Sequence, residues 1–474
     1  MRRIAVVVCT GLAALLGLSA PGPTAPAAGP ELDADNLIAL SASASPRGDQ
    51  AGSPGEGVAV NMEMVGHNNL GGRGFNADVW VHEGVAYVGQ WGFGDASHPD
   101  RCPTGAPSGV RVLDVSDPTN PTVVSTLQNP PLTTAEDVEV VTFPDGRDIA
   151  MVGIQACFRL NPDTERGLQL FDVTDPADPV QIGFLDTGRF ARGVHEFTAV
   201  TRQDGIFALL TVPFSQDRDS AGRGDLRIAD VSDPANPVEV ADFHFERDAG
   251  LPGNNEGFGC FPFNFAHGAA ANAAGTVGFV SSFDLGTVIL DISDPAHPTF
   301  VGQTPYPADV EGDSHSADLS ADERFLYQAE EVIPPNSNCQ APDRHTERSW
   351  GYVRVFDISD PTAPVQVGAE RTPNSMSPNR MRKGDYSVHN PLVIGDTLYT
   401  SWYSDGVRVA DLDDPANPSE RAFIVPPPSK DPHHVLGFVP EVWGVVVDER
   451  GCVLMSDMNG GLFVAKEIGN TTCA

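Results

Sequence analysis

Six segments of the chain follow one template, and that repetition restricts the fold more than any other feature. They are GVRVLDVSDPTNPTVV from 109, GLQLFDVTDPADPVQI from 167, DLRIADVSDPANPVEV from 225, GTVILDISDPAHPTFV from 286, YVRVFDISDPTAPVQV from 352 and GVRVADLDDPANPSER from 406. The Asp of each Asp-Pro pair falls at 117, 175, 233, 294, 360 and 414. Self-similarity at such a period signals a solenoid or a propeller. Within a unit, the β-branched run suits a pleated, half-buried strand. Asp-Pro then stops it: the carboxylate accepts turn N–H groups, and Pro fixes φ while withholding a donor. A second Pro opens the outgoing strand.

Two further strands precede each hairpin. NADVWVHEGVAYVGQWG (76–92), VVTFPDGRDIAMVG (140–153), AVTRQDGIFALLT (199–211) and HNPLVIGDTLYTSW (389–402) each place two short strands about a turn. Four strands per unit make a propeller blade. A degenerate seventh copy, EVWGVVVDERGCVLMSDMNGGLFVAKE (441–467), supplies three strands only. VNMEMVGHNNL (60–70) is expected to supply its fourth and so cover two open edges. The expectation is an all-β, seven-bladed β-propeller of four-stranded blades over 60–468, its ring closed by an N-terminal strand, with 469–474 as a C-terminal tail. The Asp-Val-Ser-Asp-Pro units resemble the LVIVD repeat of secreted bacterial β-propeller proteins. That resemblance implies the fold and an extracellular setting, and no particular activity. A more distant architectural likeness links the chain to the selenium-binding protein and methanethiol oxidase family, with no residue carried over.

The first 27 residues read as a signal peptide: two arginines, then an apolar stretch too short to span a bilayer, then the small-residue run PTAPAA. Residues 28–59, rich in Ser, Pro, Gly and Ala, read as a disordered leader. No later apolar run is long enough for a membrane span. Six cysteines follow the leader (Cys102, Cys157, Cys260, Cys339, Cys452 and Cys473), an even number that suits disulfides in an exported chain. The expected pairs are Cys102–Cys157, Cys260–Cys339 and Cys452–Cys473. A formal net charge of −35 repels nucleic acid and anionic lipid. The chain is expected to be a secreted monomer, its partner an unidentified small ligand or protein.

Alignment of the innermost strands puts Asn76, Glu136, His195, His267, His315, His389 and Glu441 at one equivalent position. Ring geometry would gather four imidazoles and two carboxylates at one channel mouth. Such a set suits a single copper, zinc, iron, nickel or manganese ion. His195, His267, His315 and His389 are the candidate ligands, and Glu136 and Glu441 a fifth ligand or a general base. Asp313 and Asp385 lie close enough in sequence to orient the rings. In the competing reading each His caps its own turn. His433 and His434 read as loop residues, and Arg111, Arg227, Arg354 and Arg408 as stems packed between blades with heads paired to acids. Two functions follow, and the sequence leaves open whether the chain is an enzyme. One is a secreted scaffold that binds a ligand or protein through its loop-rich face. The other is a metal-dependent (copper, iron or manganese) oxidase or lyase.

Overall fold

The computed structural model describes residues 57–92, 102, 108–157, 164–189, 191–254, 264–306, 312–333, 350–376 and 384–473. Contacts divide the chain into Met1–Glu31 and Leu32–Ala474, and everything described lies in the second unit. The signal peptide and most of the leader fall outside the described residues. The fold is all-β, with two short helices, Ser215–Arg218 and Phe245–Ala249, among the described residues.

The repeats form the hairpins expected of them. Gly109–Asp114 is a strand, and Thr122–Gln128 leaves antiparallel to it. Both Asp residues of the turn accept a backbone N–H two residues on: Asp114 from Ser116 at 2.9 Å and Asp117 from Thr119 at 3.0 Å. The same pair of bonds recurs at Asp172 and Asp175, and at Asp291 and Asp294. These carboxylates are therefore turn formers.

Four-stranded antiparallel groups follow one another along the chain. The first two are joined through one residue pair, Gln90 with Ala135. The innermost strands are Asn76–His82, Thr133–Thr142, Phe197–Arg202, Gly268–Ala271, Ser314–Leu319, Pro391–Ile394 and Val442–Val447. Each touches the next, and the last touches the first. Apolar side chains fill the spaces between neighbouring sheets. One such layer contains Ile149, Met151, Leu168 and Leu170 of one sheet against Ile206, Ala208 and Leu210 of the next.

Strand Met62–Asn68 pairs antiparallel with Gly461–Glu467, from Met62 opposite Glu467 to Asn68 opposite Leu462. It also reaches the first repeat: Asn68 Nδ2 donates to Pro121 O at 2.8 Å. A Cβ on Gly66 would fall 1.9 Å from Pro118 O, so only glycine permits this approach. The leader proves shorter than expected. Val58–Val60 adds a fifth strand to the sheet of Ser419–Val425, with Val58 opposite Val425. Its β-branched residues suit an edge, and the outer strand there was free to take a partner.

Disulfides Cys102–Cys157 and Cys452–Cys473 form as expected, while Cys260 and Cys339 lie outside the described residues. Cys452→Ser should cost about 3 kcal/mol in chemical denaturation, since the bridge closes a loop with a sequence separation of 21. An unchanged midpoint would show that the tail is held without it. No helix among the described residues is long and apolar enough to cross a membrane.

Candidate metal centre

Backbone pairing sets the level of each histidine. The N–H groups of His195, His267 and His389 donate to Thr211, Ser281 and Ser401, each on the second strand of its own sheet. Hydroxyls then tie one sheet to the next at the same height. Thr211 Oγ1 donates to His267 O at 2.6 Å, Ser316 Oγ to His389 O at 2.6 Å, and Ser401 Oγ to Trp443 O at 2.7 Å. Adjacent chains approach closely here, which explains the small residues after His267. A Cβ on Gly268 would sit 2.7 Å from His315 O.

The four imidazoles converge. Ring centroids are 4.2 Å apart for His195 and His267, 3.8 Å for His267 and His315, and 4.1 Å for His315 and His389. His195 Nε2 lies 2.7 Å from His267 Nε2, so one of the two rings donates. His195 Nδ1 is 2.5 Å from Glu136 Oε2 and 3.2 Å from Gln155 Oε1. Both Glu136 oxygens nevertheless lack an aligned hydrogen-bond donor. Glu196 lies 3.6 Å from His267 Nδ1 and 3.9 Å from His315 Nε2, and Glu331 lies 3.6 Å from His315 Nε2. Tyr403 donates its hydroxyl to Glu331. Within this cluster two sets have all their ligand atoms within 4.8 Å of one another: Glu196 with His315 and His389, and His267 with His315 and Glu331. Glu136 and Glu441 belong to neither set. His267 Nδ1 and His389 Nδ1 are buried without a hydrogen-bond partner.

Burial governs the charges. It holds the imidazoles of His267, His315 and His389 well below their ordinary range, with neighbouring imidazoles adding to the effect. It pushes the Glu331 carboxyl up to about 8, and it raises Glu196 well above the carboxylate range, reinforced by Asp137 and Glu136. Glu441 is raised by burial and then by Asp385. Three rings are thus in the neutral form that binds metals, beside carboxyls that hold protons when no cation is near.

The cluster opens into a pocket whose empty space, open side included, is about 660 Å³. Its walls are mostly apolar, built by Trp91, Phe265, Phe283, Leu436, Trp443 and Met458. Phe283 (φ 44°) and Tyr403 (φ 40°) line it from left-handed backbone. That conformation costs a non-glycine residue about 1–2 kcal/mol, and such strain collects at functional sites.

The sequence-predicted residues divide. His195, His267, His315 and His389 come together, and Glu136 joins them through His195. Glu441 lines the same pocket but bonds Ser404 Oγ at 3.1 Å. Asn76 instead donates to the carbonyls of Asp457 and Met458. Asp385 lines the pocket, while the backbone carbonyl of Asp313, not its carboxylate, accepts the Glu331 N–H at 2.9 Å. His433 Nε2 donates to Arg73 O at 2.8 Å, and the ring stacks on Phe75, a loop role. Arg227, Arg354 and Arg408 face acids, but Arg111 donates to Thr126 Oγ1. Sequence reasoning missed Glu196, Glu331 and Tyr403. The recurring turns SFDLG (282–286) and WYSDG (402–406) were the available signal for Tyr403.

An all-β chain of successive four-stranded sheets, with histidines gathered at the ends of its innermost strands, is a protein of the propeller class. More particularly, it carries LVIVD repeats: residues 108–128, 221–244, 276–304 and 348–372 match that repeat's family model. No curated protein matches the sequence. The structure is similar to that of a periplasmic gluconolactonase from Pseudomonas aeruginosa, at 12% identity and a TM-score of 0.51, covering 78% of this chain and 91% of that one. It is also similar to a β-propeller domain from Myceliophteria thermophila, at 10% identity and a TM-score of 0.47, covering 86% and 99%. At 12% identity the first likeness speaks for the fold alone.

Proposed function

We propose that the chain is an exported, monomeric, seven-bladed propeller closed by its N-terminal strand, and that it is a metal-dependent enzyme with one transition-metal ion in its histidine pocket. Support for the ring comes from the sequential contacts of the inner strands and from Met62–Asn68 completing the sheet of the last repeat. Support for export comes from two disulfides and the signal-like N-terminus.

The observation that carries the metal reading is the convergence of His267, His315 and His389 with Glu196 and Glu331 inside ligand distance. Mixed imidazole and carboxylate ligands suit copper, iron or manganese. An ion there would replace the protons on the two carboxyls and would supply Lewis-acid or redox chemistry. The protein's part is to keep the rings neutral, to orient Glu331 through Tyr403, and to keep the site dry with its aromatic walls.

Elemental analysis of the purified protein should find about one transition-metal ion per chain. His267→Ala and His315→Ala should each lose it while keeping the wild-type circular dichroism. A wild type without metal, even after supply of copper, iron and manganese, overturns the enzyme reading. It would leave a scaffold that binds a small ligand or a protein through its loop-rich face.

A further inference from the structure

We propose that the pocket's substrate is an organic cation, a primary or methylated ammonium carried on a small apolar or aromatic body. As the substrate of a metal enzyme this rests on the reading above, but the binding groups lie outside both ligand sets. Glu441 is 1% exposed and faces the pocket. Its Oε1 is met by Ser404 Oγ at 3.1 Å, and its Oε2 has no hydrogen-bond partner. Asp385, also buried, lines the same pocket. Neither belongs to the two histidine–carboxylate sets, so an ion held there leaves both carboxyls unmatched. No Lys or Arg stands among the described residues that line the pocket. A buried carboxyl with one oxygen left open can be satisfied by a positively charged donor, which would also favour its ionised form.

The surroundings suit an ammonium better than a second metal. Tyr403 stands at 88° to Trp443 with centroids 6.1 Å apart, and Trp91 lies 5.8 Å from Trp443. Tyr403, Trp91 and Trp443 all line the pocket, and such aromatic surface attracts a desolvated ammonium by cation–π interaction. Phe265 and Phe283, stacked at 4.4 Å, offer the body of the ligand an apolar wall. The chain's net charge of −35 draws cations towards the pocket and repels anions.

The test uses three molecules of nearly one shape: benzylamine, benzyl alcohol and benzoate. Each is titrated into the full chain, once stripped with chelator and once metal-loaded, and followed by calorimetry and by the fluorescence of Trp91 and Trp443. Benzylamine should bind at least tenfold more tightly than benzyl alcohol, and benzoate should not bind, in the stripped protein as in the loaded one. Glu441→Gln should remove that preference while leaving benzyl alcohol binding unchanged. Should this variant melt early, Asp385→Asn serves in its place. Equal binding of amine and alcohol, or no binding of either, overturns the proposal. Because the stripped protein is measured too, failure of the metal reading alone would leave the amine preference in place.

Discussion

A chain that begins at Leu70, lacking the strand Met62–Asn68, will fail to form a stable monomer and will self-associate. Two losses combine. The backbone of Gly461–Glu467 loses its partner along six residue pairs and becomes an open edge. Met62, 4% exposed, leaves a core layer shared with Val442, Val453 and Phe463. Truncating a buried methionine alone costs about 2–5 kcal/mol, against a typical net stability of about 5–15 kcal/mol. His67 also withdraws its stack on Phe463 at 4.2 Å. Size-exclusion chromatography and thermal melts check the outcome. Adding a peptide of residues 57–69 should restore a monomer, because the open edge is its template. A truncated chain that stays monomeric and melts with the wild type would show that the strand only decorates the sheet.

The second large effect is on pH dependence at Glu370, a buried carboxyl outside the lining of the histidine pocket. Burial pushes its carboxyl up to about 7 from an ordinary 4.5; Thr400 donates to it at 3.2 Å, Arg408 opposes the shift, and Glu420 adds to it. The folded chain therefore keeps a proton that the unfolded chain releases near 4.5. Its contribution to stability is full below that value and is lost as pH rises towards 7, at about 1.4 kcal/mol per pH unit. Glu370→Gln keeps a neutral group at every pH. Relative to wild type it should gain about 3 kcal/mol between pH 4.5 and pH 7, read from urea denaturation at each pH. Comparing the two proteins cancels the imidazoles, whose lowered values work in the opposite direction below 6.5. A difference that does not change with pH would mean that Glu370 titrates normally.

The hairpins were legible because their cause is local. Asp accepts its own turn's N–H groups, and Pro stops a strand, wherever the pair occurs. The histidines were legible for another reason. His195, His267, His315 and His389 sit at one step of a repeated backbone, so aligning the units also aligned the side chains in space. Glu331 was not, because it follows a second strand at the head of a long, unrepeated loop. Glu196 adjoins His195, and nothing in the sequence says that its carboxyl turns towards His267 and His315. Position alone also misleads. Asn76 shares the register, yet its amide is spent on the carbonyls of Asp457 and Met458.

The pairing of the first long strand with the last has a consequence in time. His67 and its contact Gly460 are 393 residues apart. At about 5–20 residues per second of synthesis, Met62–Asn68 waits roughly 20–80 s for its partner to exist. Until then it is an unshielded strand searching for any edge. A cell that makes this protein has to hold the early segment apart from its own later repeats, so assembly is paced by delivery of the final hairpin and not by collapse of the opening ones.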